Sequence, residues 1–204
     1  MKKDLNKEIT MRRSTIVFTI LVLVGMSPAA FAHPGHLIGN GFFTGLLHPF
    51  TGLDHLLAMT AVGLWAAQRG KRYLFAIPAS FVAMMALGGV AGTSGIALPL
   101  VEPGILGSLV VFGLLIAFDA RLPLTAGMAI VGSFALFHGY AHAVEMPAHA
   151  SLAVFGSGML LATIMLHLIG IGIGRLGKTQ IHEVSLRIAG GSIAATGVIL
   201  FALV

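Results

Sequence analysis

The chain has 204 residues, of which 57% are hydrophobic and only 9% charged, with a mean hydropathy of +0.97. This composition excludes an ordinary soluble domain and supplies several bilayer-length apolar segments. The formal charge of +5 does not mark a nucleic-acid surface, because five of the twelve basic residues (Lys2, Lys3, Lys7, Arg12, Arg13) precede the first apolar run. There is no cysteine, which removes disulfides, thiolate metal sites and thiol catalysis.

Residues 1–32 read as a cleavable signal peptide. A basic leader ends at Arg13, an apolar stretch runs from about Thr15 to Met26, and Ala30-Phe31-Ala32 fits a small-x-small cleavage site. Cleavage would leave a new N-terminus at His33-Pro-Gly-His36.

Six apolar segments follow, near 42–67, 73–91, 96–118, 123–143, 151–174 and 184–203. The expected fold is therefore all-α: a polytopic transmembrane helix bundle of six spans after the signal peptide, with residues 33–204 as one domain. Small-residue spacings at Gly41/Gly45, Gly88/Gly92 and Gly170/Gly174 predict close helix approach. The seven basic residues after the leader are Arg69, Lys71, Arg72, Arg121, Arg175, Lys178 and Arg187. Six alternating spans put all of them on one side, which the positive-inside tendency makes cytoplasmic. The mature N-terminus is then extracytoplasmic, in agreement with the signal peptide.

Within these apolar segments lie ionisable groups that are costly in a bilayer and by default face a cavity, a pathway or a partner. The two richest stretches are His48-Pro-Phe-Thr-Gly-Leu-Asp54-His55 and His138-Gly-Tyr-Ala-His142-Ala-Val-Glu145. On a helix His138, His142 and Glu145 share one stripe. Imidazole with carboxylate is a ligand set for a divalent transition metal, whereas the bland alternative is a set of interhelical hydrogen bonds. Pro49 is expected to open the helix beside His48, and Asp54 is either a ligand or the acceptor that fixes an imidazole tautomer. Glu102, bracketed by Pro99 and Pro103, predicts a broken third span with an acid lining the pathway. His33 and His36 are an external collector or a non-essential tail. His167 reads as a hydrogen-bonded bundle histidine more readily than as a later station, because no acid is near it in sequence.

His48-Pro49-x-x-Gly52-x-Asp54-His55-x-Leu57-Ala58-Met59-x-x-Val62-Gly63 resembles the hallmark of the HupE/UreJ family of nickel/cobalt permeases. The resemblance extends to the leader followed by His33-Pro-Gly-His36, to Pro99-x-x-Glu102, and to Phe137-His138-Gly139-x-Ala141-His142-x-x-Glu145, and so covers essentially the whole mature chain. It implies transport of Ni²⁺ or Co²⁺ across the bacterial inner membrane, with no permanent cofactor and no enzymatic reaction. By position it singles out His48, Asp54, His55, His138, His142 and Glu145. The expected partners are the metal ion and the lipid bilayer, with a homo-oligomer left open.

Gly172-Ile-Gly-Arg-Leu-Gly177-Lys178-Thr179 fits a Walker A pattern but lacks the strand before it and the βαβ unit after it, so nucleotide binding is rejected. Two other classes stay open from the residues alone. One is a haem or di-iron membrane redox protein using His138 and His142; the other is a membrane metal-binding or assembly factor that moves nothing.

Overall fold

The computed structural model describes residues 41–177 and 179–204; the leader, His33, His36 and Lys178 lie outside the described residues. Among the described residues there are seven helices and no strand: α1 (Gly41–Thr51), α2 (Leu53–Arg69), α3 (Lys71–Thr93), α4 (Val101–Ala117), α5 (Leu124–Val144), α6 (Leu152–Arg175) and α7 (Gln180–Phe201). Four of them, α3, α5, α6 and α7, are long and apolar enough to cross a membrane, and α4 is apolar but shorter. The 24 residues of α6, at about 1.5 Å each, span roughly 36 Å, more than a hydrocarbon core of about 30 Å. Large apolar side chains such as Phe75, Leu87, Leu168 and Ile199 point outward, where lipid would meet them. The chain is a multi-pass membrane protein.

Two expected spans differ in form. The segment 42–67 divides into α1 and α2, with Gly52 between them in extended backbone (φ −95°, ψ 120°). The break is not at Pro49, where opening was expected: α1 runs through the proline, and the Thr51 hydroxyl donates to the His48 carbonyl at 2.7 Å. A hydroxyl three residues on thus occupies a carbonyl that the helix end leaves free. The segment 96–118 becomes helical only at Val101. Leu100 before it takes a left-handed backbone (φ 59°), so the helix starts there instead of breaking around Glu102. Pro103 falls in the first turn, where its missing N–H costs nothing.

The helices associate in four close pairs, each brought together at glycines. A Cβ on Gly45 would strike the Phe155 backbone, and one on Gly158 would strike Phe42; a Cβ on Gly63 would strike His167, and one on Gly170 would strike Thr60. So α1 lies along the first half of α6 and α2 along its second half, both running in the same direction as α6. Likewise Gly88 and Gly139 press α3 and α5 together in parallel, against Leu136 and Met85. Gly113 and Gly190 join α4 to α7, which run antiparallel. Small residues let backbones approach, and the dispersion contacts they permit are what hold helices together in lipid. The expected spacings at Gly45, Gly88 and Gly170 fall at these contacts.

These directions sort the charges. The end of α2, the start of α3, the α4–α5 loop, the end of α6 and the start of α7 share one end of the bundle. All the described lysines and arginines lie there. The α4–α5 loop is fastened at this end: Arg69 pairs with Asp119, Trp65 Nε1–H donates to the Ala120 carbonyl at 3.1 Å, and the Tyr73 hydroxyl donates to the Leu122 carbonyl at 2.8 Å. The opposite end carries the end of α5 and the starts of α4 and α6.

Candidate metal centre

The junction between α1 and α2 sits beside the end of α5, and this places two histidine-bearing segments face to face. His48 comes from α1, His55 from the first turn of α2, and His138 and His142 from successive turns of α5. Glu145 caps α5 just beyond its last turn. Two groups of ligand atoms result. In one, His55, His138 and His142 each offer a ring nitrogen within 4.8 Å of the others, and all three side chains are buried. In the other, a ring nitrogen each from His48 and His142 and a carboxylate oxygen of Glu145 lie within 4.8 Å of one another at the more exposed edge. His142 belongs to both.

The expected stripe of His138, His142 and Glu145 is therefore divided between the groups. Glu145, the C-cap of α5, keeps the helical backbone, its N–H donating to the Ala141 carbonyl at 2.9 Å, and its Oε2 accepts from His48 Nε2–H at 3.2 Å, so it stays grouped with His142 while His138 faces His55. The break at Gly52 likewise separates His48 from His55, whose ring centroids are 6.4 Å apart. Each of these rings packs instead on His142, at 4.9 and 4.3 Å.

Hydrogen bonds set the tautomers. Asp54 Oδ1 accepts from both the backbone N–H and Nδ1–H of His55, at 2.8 Å each. The His55 Nε2 lone pair is thereby left free, and that nitrogen is buried without a partner. Ser108 on α4 does the same for His138. Its hydroxyl donates to the Ile105 carbonyl at 2.6 Å, so at 3.0 Å from His138 Nε2 it accepts the ring N–H. Nδ1 of His138 is then the free nitrogen, again buried without a partner. His142 has both ring nitrogens unpartnered. Buried polar atoms normally find hydrogen bonds, and these imidazole lone pairs converge where they could hold a cation.

Gly52 is required here for space. A Cβ on it would lie 2.8 Å from Asp54 Oδ1 and 3.1 Å from His55 Nδ1, so any side chain would push into the pair that orients His55. Of the other expected residues, Glu102 is exposed in the first turn of α4 and joins neither group. His167 is 1% exposed with both ring nitrogens unpartnered, which sets aside the hydrogen-bonded role expected for it. Ser108 was not singled out in sequence, because nothing local connects a serine to a histidine 30 positions away. Phe81 was also missed; its ring lies against His138 on one side and His167 on the other, with centroids at 5.6 and 5.1 Å.

Comparison with known proteins bears on this centre. The family model described as HupE / UreJ protein matches residues 21–200, a range that contains every member of both ligand groups. Protein HupE of Rhizobium leguminosarum bv. viciae is 42% identical over 184 residues, covering 90% of this chain and 96% of that protein. No solved structure matches. Members of the matched family are transporters and accessory proteins, not enzymes. On a match that spans the helices, the glycine break and both histidine-bearing groups, the chain belongs to the HupE/UreJ family.

Proposed function

We propose that this protein is an inner-membrane permease that takes up Ni²⁺, or Co²⁺, from the extracytoplasmic side. The observation that carries the reading is the pair of three-ligand groups sharing His142, with Asp54 and Ser108 holding ring lone pairs free. Nitrogen with carboxylate oxygen suits nickel and cobalt equally. The α1–α2 passage and α4 complete six crossings with the four longer helices. The basic end then faces the cytoplasm by the positive-inside tendency, and the ligand groups face outward. Residues 1–32 serve as the signal peptide, and His33, His36 and Glu102 gather cations at the entrance.

The arrangement supports capture in steps. Glu145 and His48 meet the hydrated ion where water can still leave, and the carboxylate offsets part of its charge. His142 then passes it inward, because the same imidazole serves both groups and the ion never loses all of its protein ligands. At His55 and His138 the ligands are neutral, and the only nearby charge is Asp54 behind His55. Three ligands from the protein leave the shell of a six-coordinate ion incomplete, so the ion is held weakly enough to leave again.

Uptake of radiolabelled nickel into proteoliposomes tests the reading. His55→Ala and His142→Ala are expected to abolish uptake while the protein remains folded. Unchanged entry in both variants removes the transport site, and nickel binding in detergent without any flux in vesicles identifies a non-transporting binder instead.

A further inference from the structure

Below the histidine groups the bundle contains a second convergence of unused lone pairs. His167 on α6, Met59 on α2 and Met85 on α3 are all buried, and both sulfurs approach Thr163, one turn before His167. The Thr163 hydroxyl lies 3.4 Å from the Met59 sulfur, 3.5 Å from the Met85 sulfur and 2.9 Å from the Met159 carbonyl. It has one proton, and the carbonyl is the better acceptor, so both sulfurs keep their lone pairs. Cβ directions on a helix tilt toward its N-terminus, which aims the His167 ring back over the turn that carries Thr163. Both ring nitrogens of His167 lack hydrogen-bond partners among the described residues. The position is deeper than the first centre. Met59 is one turn beyond His55, and the Phe81 ring lies between His138 and His167.

We infer that His167 and the thioethers of Met59 and Met85 form a second, inward station for a borderline transition-metal cation. The inference rests on the permease reading and extends it. One imidazole and two thioethers carry no charge. A dication is therefore held more loosely here than beside Glu145 and Asp54, as release toward the cytoplasm requires. Sulfur also discriminates: hard cations such as Mg²⁺ and Ca²⁺ favour oxygen ligands and gain little from thioethers, whereas Ni²⁺ and Co²⁺ tolerate mixed nitrogen and sulfur. The station thus selects at a point where the first centre, with its carboxylate, is permissive.

The test is the initial rate of radiolabelled nickel uptake against concentration, using the full purified chain in lipid vesicles. Capture precedes this station, so H167Q is expected to lower the maximal rate about tenfold while the half-saturating concentration stays within about threefold of wild type. The double variant M59L/M85L conserves volume and removes only the sulfurs; it is expected to lower the maximal rate by about threefold or more. If H167Q does not fold, the double variant alone decides. Wild-type rates in both variants overturn the inner station and leave the permease standing. A loss in H167Q with the double variant at the wild-type rate also overturns the site, because the effect is then that of a packing histidine. Vesicles of the wild-type chain that pass no nickel defeat the permease reading itself.

Discussion

Asp54 touches His55 and no other ligand of the centre, so its replacement separates the charge of a supporting group from its geometry. In Asp54→Asn the amide oxygen can still accept both His55 N–H groups, and only the negative charge is lost. The carboxylate oxygen is 2.8 Å from His55 Nδ1. Crossing the ring and adding a metal–nitrogen bond of about 2.1 Å puts the charge roughly 7 Å from an ion on Nε2. At an effective dielectric constant of about 20, one negative charge at that distance attracts a dication by about 5 kcal/mol. Surrounding dipoles recover much of this when the charge is removed, and supporting partners of metal-bound histidines usually account for about 10- to 100-fold in affinity, or about 1.4–2.7 kcal/mol. Calorimetric titration of nickel into the detergent-solubilised variant is therefore expected to show an affinity lowered within that range, with unchanged thermal stability. An affinity within about twofold of wild type would falsify the positioning argument. Complete loss of binding in a folded variant would refute it from the other side, by making Asp54 a ligand in its own right.

Three further outcomes are expected. Gly52→Ala places a methyl group 2.8 Å from Asp54 Oδ1, so it should weaken nickel affinity about as much as Asp54→Asn; wild-type affinity in this variant means that the Asp54–His55 pair tolerates displacement. Protons compete with a metal ion for imidazole lone pairs, so acidifying the solution from about pH 7.5 to about pH 5.5 should never raise nickel affinity, and titrations showing a rise contradict a histidine-based centre. Asp119→Ala leaves the buried Arg69 guanidinium without its partner at the opposite end of the bundle. It should cost about 1–3 kcal/mol of stability, read as a lower melting temperature in detergent, and leave nickel affinity unchanged. A changed affinity with an unchanged melting temperature would show that the two ends of the bundle are coupled.

The residue types and their order in the chain were enough to establish a helical, multi-pass protein. Burial of apolar surface in lipid and the need to satisfy every backbone group internally are properties of segments, and segments are what a sequence displays. The histidines of α5, the Asp54–His55 neighbours and the glycine spacings were legible for the same reason: helical periodicity or adjacency carries them. The partners that complete each group were not legible, because they come from other helices. Helical spacing keeps Glu145 beside His142, as expected, but nothing in the spacing shows that His48 of another helix joins them, with the carboxylate accepting from its ring. Heptad spacing aligns His48 with His55, yet the helix is interrupted at Gly52 and both rings converge on His142 instead. Only tertiary packing decided that Ser108 would hold His138, that Glu102 would stand apart, and that the Met59 and Met85 sulfurs would meet at Thr163. Those contacts join different helices, and their register is set by backbones brought together at glycines, a constraint that acts between segments and leaves no periodic trace within any one of them.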